Sequence, residues 1–178
     1  MDFNFKKHGD VDVTSIIPLI NTFDWDEYTF RQDTFKPHAQ TKSIRLIWDE
    51  IKENIIYYSD YPKLKPILDI LSNIFKEKIG PGMICNAILV KMEGNTSIDR
   101  HKDDYIFFKQ NNRMHIPITT NNNCIFEVDG EKLNMKVGEI WEINNYEKEH
   151  SVVNEGNTNR IHLIVDWSNM FKSNKSLL

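Results

Sequence analysis

The feature of this sequence that most limits its fold is a change of period at residue 83. From residue 83 to residue 168 the chain holds seven short segments rich in Ile, Val, Phe and Trp, with turn signals such as EGN, VDGE and NEGNTN between them. Segments of this length and spacing are typical of the strands of a β-sandwich or a jelly roll. The seven segments are MICNAILVKM, RMHIPI, CIFEV, KLNMKV, EIWEIN, HSVV and NRIHLIVDW.

Residues 1–82 are predicted to brace this core with α and β structure. SIRLIW at residues 43–48 alternates like a strand, and residues 62–78 have the period of a helix that Pro62 starts and Gly80 follows. We therefore predict one domain over residues 1–178, mainly β, with its jelly-roll core at residues 83–168. The apolar stripe of the helix, which we expect to face that core, consists of Leu64, Ile67, Leu68, Leu71 and Phe75.

The composition argues against several classes of protein. A chain of 178 residues with 40% hydrophobic residues is long enough to enclose a site, and its formal net charge of −4 argues against nucleic acid as a partner. The first ten residues lack the order of a signal peptide, and no apolar run approaches the roughly 18 residues of a membrane span. We expect a cytoplasmic protein that does not bind membranes, with Cys85 and Cys124 reduced and buried in strands.

A polar stretch, IDRHKDDYIFFKQNNRMHIPI at residues 98–118, places many charges beside a strand. His101 and Asp103 are two residues apart, so both side chains lie on one face of an extended segment and supply half of a metal site. An exposed loop histidine near an aspartate is the ordinary alternative. The pair alone does not decide between the two interpretations.

His150 favours the metal interpretation, because it begins a later strand that a jelly roll can bring beside His101 and Asp103. Two histidines and one carboxylate form the facial triad of non-haem Fe(II) oxygenases. Zinc also accepts these ligands. At this point an oxygenase, a zinc hydrolase and a metal-binding cupin all remain open.

Arg160 separates these alternatives. HSVVN and NRIHL are predicted to form a hairpin in which Arg160 pairs opposite Val152 or Asn154 and shares a face with His150. The two residues would then lie roughly 7 to 13 Å apart, which suits a short dicarboxylate between a metal and a guanidinium. The alternative for Arg160 is a surface salt bridge.

These residues carry a resemblance to a known family. HKD through RMHIPITTN, GEIWEINN and HSVVNEGNTNRIHLIVD closely resemble the aspartyl/asparaginyl β-hydroxylase family, which includes free L-proline cis-hydroxylases. The family belongs to the Fe(II)/2-oxoglutarate dioxygenases, whose fold is a double-stranded β-helix. The clear resemblance covers about residues 83 to 168, and FKPHAQTKSIRLIW also looks like an early strand of the family.

The resemblance implies a set of ligands and a reaction. His101, Asp103 and His150 would bind Fe(II), and Arg160 would hold the distal carboxylate of 2-oxoglutarate. The enzyme would then use O2 to hydroxylate an unactivated C–H bond, with release of succinate and CO2. The resemblance puts Arg113 and His115 near the other end of 2-oxoglutarate, and a core histidine is the alternative for His115. His162 has the same strand parity as Arg160 and is a weaker candidate for the pocket lining.

The substrate is the least determined feature. With Asp103 the chain has the full triad of the free proline hydroxylases that it resembles. This favours a free, proline-like amino acid as substrate over an Asp, Asn or Pro residue in a peptide or protein. Alternatives of another class are a cupin-like metal enzyme and a jelly-roll binding module without catalysis. Candidate substrate residues before the core are Arg31, His38, Thr41 and Arg45, and candidate walls of the cavity are Trp141, Phe126 and Trp167.

Overall fold

The computed structural model describes residues 2–49 and 54–169, which form two antiparallel sheets with helices outside them. The strands are β1 Phe5–Asp10, β2 Thr41–Asp49, β3 Ile55–Tyr57, β4 Gly82–Met92, β5 Thr96–His101, β6 Asn111–Thr119, β7 Cys124–Val128, β8 Glu131–Leu133, β9 Glu139–Ile143, β10 His150–Asn154 and β11 Arg160–Asn169. The helices are α1 Phe30–Thr34, α2 Tyr61–Lys78 and α3 Ile106–Gln110, and short 3-10 turns span Ile17–Thr22 and Lys36–His38.

The larger sheet has seven strands in the order β1-β9-β6-β11-β4-β2-β3, and the smaller has four in the order β5-β10-β7-β8. Every neighbouring pair is antiparallel. The predicted fold class, mainly β with a jelly-roll core, is confirmed. The predicted segment KLNMKV forms only the short β8, and strands β1, β3 and β5 were not predicted.

Helix α2 packs against one face of the larger sheet and confirms the predicted helix. Its five predicted stripe residues are all buried and join one apolar cluster with residues of β2, β4, β6 and β11. Phe75 meets Trp167 of β11 edge to face, with ring centres 5.5 Å apart. Burial of each large side chain stabilises the fold by roughly 1.5–3 kcal/mol, so this helix fixes the outer face of the sheet.

A second apolar cluster lies between the two sheets. It joins residues of β4 and β9 in the larger sheet to residues of β5, β7 and β10 in the smaller one. Because both sheets contribute, the cluster holds their inner faces together. Its buried members are Met92, Ile98, Cys124, Phe126, Val128, Met135, Ile143 and Val152.

The predicted hairpin between HSVVN and NRIHL is wrong. Strand β10 pairs with β5 and β7 in the smaller sheet, whereas β11 pairs with β4 and β6 in the larger sheet. Both edges of β10 are therefore taken, and residues 155–159 cross from one sheet to the other. The Asn154 side chain stabilises this crossing by accepting a hydrogen bond from Gly156 N at 3.3 Å and donating one to Thr158 O at 3.0 Å.

Cys85 and Cys124 are both buried, in β4 and β7, as predicted, and the Cys85 thiol donates a hydrogen bond to Asp166 O at 3.3 Å. Of the helices within the described ranges, none has the length and apolar character required to cross a membrane.

Candidate active site

A pocket opens to solvent between the inner faces of the two sheets, with about 370 Å³ of empty space when the solvent at its mouth is included. Side chains from β4, β6 and β11 form one wall, and side chains from β5, β7 and β10 form the opposite wall. Its polar lining consists of Arg31, His38, His101, Asp103, Arg113, His115, His150 and Arg160. The structure therefore brings all six predicted metal and cosubstrate residues into one cavity.

The ring of His101 has one nitrogen available for a ligand. Its Nδ1 lies 2.7 Å from the backbone oxygen of Asp99, and because a carbonyl only accepts, Nδ1 carries the proton and donates. The lone pair is then on Nε2, which is buried, has no hydrogen-bond partner among the described residues, and lies 3.7 Å from Asp103 Oδ1. A backbone carbonyl that orients an imidazole in this way is common at metal sites.

Asp103 is held in place by three contacts. Its backbone N–H donates to Asn145 O at 3.0 Å, and its Oδ2 accepts from Asn145 Nδ2 at 2.8 Å and from Arg113 Nη1 at 2.7 Å. Burial alone would raise the pKa of this carboxyl, but the positive charge of Arg113 and the neighbouring His150 hold the pKa below its ordinary value. Asp103 is thus a carboxylate at neutral pH, and its Oδ1 faces His101.

His150 lies directly opposite His101 in the register of β10 and β5, and the two ring centres are 4.3 Å apart. Its Nδ1 is buried without a hydrogen-bond partner in the part of the chain that the structure describes. Burial lowers the pKa of His150 to about 4, so the imidazole is neutral and has a lone pair.

His38 is a competing imidazole, since its ligand atom lies within 4.8 Å of those of His101 and Asp103. However, its Nε2 lies 3.2 Å from Arg31 Nη2, and a guanidinium can only donate. His38 Nε2 therefore accepts from Arg31, and the proton of this neutral ring is on Nδ1. With its one lone pair engaged, His38 is a poorer metal ligand than His150.

Arg160 lies on the opposite wall and is 1% exposed. Its Nη2 donates to Nδ1 of His162 at 2.7 Å, and its Nε is buried with no hydrogen-bond partner within residues 2–49 and 54–169. Burial lowers the pKa of Arg160 to about 10, which still leaves it charged at neutral pH. A buried cation with no carboxylate beside it is costly, so the geometry suits an anionic ligand.

Arg113 lies in a row of polar side chains that crosses three strands. Asp166 of β11 is directly opposite Arg113 of β6 and Asn86 of β4. Its carboxylate accepts from Arg113 Nε at 2.8 Å, from Arg113 Nη2 at 2.9 Å and from Asn86 Nδ2 at 2.6 Å. Burial would lower the pKa of Arg113, but Asp166 and Asp103 raise it. Three of its five N–H groups are thus engaged, and two are left for a ligand.

His115 shares the inner face of β6 with Arg113. Both of its ring nitrogens are buried without a hydrogen-bond partner in the described ranges. Burial, followed by the charge of Arg160, lowers the pKa of His115 well below its ordinary value. A neutral imidazole with two unsatisfied nitrogens suits a ligand that can donate or accept there.

The structure separates the weaker candidates. Arg31, His38 and Phe126 line the pocket, whereas Arg45 and Trp141 do not. Arg45 stacks between Tyr28 and Trp48 at 4.8 and 4.4 Å, and Trp141 donates from its indole to Glu139 at 2.9 Å. Trp167 packs under α2 in the outer core. Of the four predicted substrate residues, Arg31 and His38 line the pocket, whereas Thr41 and Arg45 do not.

Sequence reasoning missed the groups that orient the candidate ligands. Asp99 acts through its backbone, and Asn145 and Asp166 lie far along the chain from Asp103. Asp166 has the same strand parity as Arg160, which is the signal that indicates an inward side chain in β11. Asn145 gave no such signal because it lies in a turn after β9.

Comparison with known proteins identifies the family of the chain. The family model described as Aspartyl/Asparaginyl beta-hydroxylase matches residues 21–169, which is most of the chain. No curated protein matches the chain in sequence.

Two solved structures share the fold. An oxidoreductase of the 2OG-Fe(II) oxygenase family from Burkholderia pseudomallei is 18% identical, with a TM-score of 0.58 over 74% of this chain and 70% of that one. A prolyl hydroxylase from Trichoplax adhaerens, solved in complex with a hypoxia inducible factor oxygen degradation domain peptide fragment, is 10% identical, with a TM-score of 0.56 over 93% and 80%. The match to the family model shows that the chain belongs to the aspartyl/asparaginyl beta-hydroxylase family.

Proposed function

We propose that the protein hydroxylates a C–H bond of a free, compact amino acid such as L-proline, with Fe(II), 2-oxoglutarate and O2. One oxygen atom of O2 enters the substrate C–H bond, and the other enters succinate as 2-oxoglutarate loses CO2. The observation that carries the proposal is the arrangement across the pocket. His101, Asp103 and His150 form one polar cluster, and Arg160 faces them from the other sheet.

The residues present fit a divalent metal. His101 Nε2 and His150 Nδ1 are buried atoms without partners among the described residues, and Asp103 is held as a carboxylate. Two imidazole nitrogens and one carboxylate oxygen are the donor set of non-haem Fe(II) oxygenases. Bound there, the iron would activate O2 for oxidation of 2-oxoglutarate and of the substrate.

The other side chains would position the cosubstrate and protect the site. Arg160 would hold the distal carboxylate through its unsatisfied N–H groups, with His162 fixing its orientation. His115 and the two remaining N–H groups of Arg113 would contact the end nearer Asp103. Phe126 stacks on His150 with rings 16° from parallel and would exclude water from that side.

A free amino acid is favoured because the pocket between the two sheets must hold 2-oxoglutarate as well as the substrate. We place the enzyme in the cytoplasm, because two cysteines are too few for the disulfide framework that is typical of small secreted proteins. The second candidate is hydroxylation of an Asp, Asn or Pro residue in a peptide. The family description and the peptide complex of the structurally similar prolyl hydroxylase favour it.

The test is turnover with a panel of free amino acids and of peptides that contain Asp, Asn or Pro. The purified protein would be supplied with Fe(II), ascorbate, 2-oxoglutarate and O2, and succinate would be measured together with the mass of each candidate substrate. We expect succinate formation and a gain of one oxygen on a free amino acid. Asp103→Ala should abolish both and lower iron content, whereas Arg100→Gln, a surface change, should alter neither.

Two results would contradict the proposal in different ways. A gain of oxygen on peptides alone would make the free amino acid wrong and leave the reaction class intact. Bound iron without succinate for any member of the panel would make the reaction class itself wrong.

A further inference from the structure

Arg31 is a cation on the pocket wall that the proposed iron and 2-oxoglutarate sites leave without an anion. It lies in α1, outside both sheets, and its guanidinium donates to Thr41 Oγ1 at 3.1 Å and to His38 Nε2 at 3.2 Å. Thr41 Oγ1 in turn donates to His38 O at 2.8 Å. Two neutral partners thus fix the guanidinium and leave three N–H groups for another acceptor.

The electrostatic surroundings make an empty Arg31 site costly. Burial, followed by repulsion from Arg113, lowers the pKa of Arg31 to about 9. Of the other groups that act on it, Arg160 and Arg45 repel the charge, and only Asp103 attracts it. No carboxylate lies within 4.0 Å of Arg31 in the ranges that the structure describes, so a bound anion would relieve this repulsion.

The other charges of the pocket are already balanced or assigned. Arg113 is paired with Asp166 and Asp103 in the protein itself. Arg160 is the proposed partner of one carboxylate of 2-oxoglutarate, and the other carboxylate belongs beside the metal cluster. The pocket histidines His38 and His150 have lowered pKa values and are neutral. Arg31 is therefore the cation that is left for the substrate.

Arg31 is also close to the candidate iron ligands. The ring of His38 lies between the guanidinium and His101, with 4.9 Å between the two ring centres. A substrate carboxylate on Arg31 would thus be only one imidazole ring away from the metal cluster. The carbon that reacts must then be a few bonds from that carboxylate.

We propose, on the basis of the proposed function, that Arg31 binds the α-carboxylate of a free amino acid substrate. His38 and Thr41 act as positioning residues that hold the guanidinium toward the metal. The enzyme would accordingly select free acids and reject substrates in which this carboxylate is an amide, including residues within a peptide chain.

The experiment compares each free amino acid with its carboxamide, for example L-proline with L-prolinamide. Binding to the protein loaded with Fe(II) and 2-oxoglutarate would be measured by calorimetry without O2, and KM would be measured with O2. We expect the wild type to prefer the free acid. Arg31→Gln should weaken binding of the free acid by about ten-fold or more and bring its ratio to the amide close to one.

Controls separate this role from a structural one. Arg31→Lys keeps the charge and should recover part of the preference for the free acid, while Arg100→Gln should behave as the wild type. The affinity for 2-oxoglutarate and the circular dichroism spectrum of Arg31→Gln should both be unchanged. These two readouts show that the metal and cosubstrate sites remain folded.

The remaining outcomes contradict either the role of Arg31 or the proposed function. The role of Arg31 is overturned if Arg31→Gln prefers the free acid as strongly as the wild type does. It is also overturned if Arg31→Gln loses affinity for 2-oxoglutarate and keeps its affinity for the free acid. Failure of every free amino acid to bind also overturns it, even when peptides are hydroxylated. Binding of a free acid through Arg31 with no succinate formed leaves this inference standing and overturns the proposed function.

Discussion

Among single residues, Arg160 has the environment that most demands a ligand. It is buried in the larger sheet, its guanidinium donates a hydrogen bond to the neutral ring of His162, and the centre of the Phe126 ring lies 5.9 Å from its guanidinium carbon. We predict that Arg160→Leu keeps its iron but binds 2-oxoglutarate more weakly by about 2–5 kcal/mol, because a buried charge-assisted pair is lost. Anaerobic calorimetric titration would measure this change.

Arg100→Gln is the matched control for that experiment. Arg100 is a half-exposed arginine of β5 that pairs with Glu127 and Glu149 at the surface. An Arg160→Leu protein with the affinity of the wild type for 2-oxoglutarate would remove Arg160 from the cosubstrate site.

Asp166 is the residue whose role was least visible in the sequence. Its carboxylate holds Arg113 by two hydrogen bonds, and Arg113 holds Asp103 by one. Asp166→Asn removes one of the two carboxylates that balance the charge of Arg113. Arg113 would then interact more strongly with Asp103, and its uncompensated positive charge would lie beside the metal. We predict a loss of metal affinity of about 10- to 100-fold, measured by titration of the metal-free protein with Mn(II).

The control for Asp166 is Glu142, another buried carboxylate of the larger sheet. Glu142 lies opposite Met114, on the sheet face that packs away from the pocket, and it accepts a hydrogen bond from Asn112. Glu142→Gln should cost stability without changing Mn(II) affinity. If both variants bind Mn(II) as the wild type does, Asp166 has only a structural role.

At the scale of elements, the sequence predicts strands through their apolar side chains. Strands β4, β6, β7, β9, β10 and β11 have this signal and were predicted. Strand β5, TSIDRH, has only Ile98 fully buried, so it has no apolar alternation to detect. The strand that positions His101 was therefore invisible, although the HKD motif at its end was recognised.

The error on β10 and β11 has a related physical cause. Alternation along a strand predicts which side chains share a face, but it carries no information about which strand lies alongside. A short turn-like connection favours a hairpin, yet residues 155–159 pass between sheets because β5 and β7 already occupy both edges of β10. Parity along β11 did predict that His162 shares a face with Arg160, and the two side chains are hydrogen-bonded there.

At the scale of the whole molecule, the site concentrates neutral histidines between the two sheets. His38, His115, His150 and His162 all have pKa values lowered first by burial and then by neighbouring arginines or histidines. Fold class followed from periodicity alone, whereas these pKa shifts depend on packing across strands that are distant in sequence. Because of these pKa shifts, the stability of the folded protein depends on pH.

The final prediction follows from this coupling and concerns stability of the metal-free protein. An imidazole that stays neutral when folded gains a proton on unfolding below its unfolded pKa of about 6.5, so the free energy of unfolding falls as pH decreases below that value. Each such histidine contributes a slope of up to about 1.4 kcal/mol per pH unit. His162→Gln keeps an acceptor for Arg160 but cannot be protonated. Urea unfolding between pH 7.5 and about pH 5, followed by tryptophan fluorescence, should therefore give a shallower slope for this variant than for the wild type or Arg100→Gln, and equal slopes would show that His162 is not neutral in the folded protein.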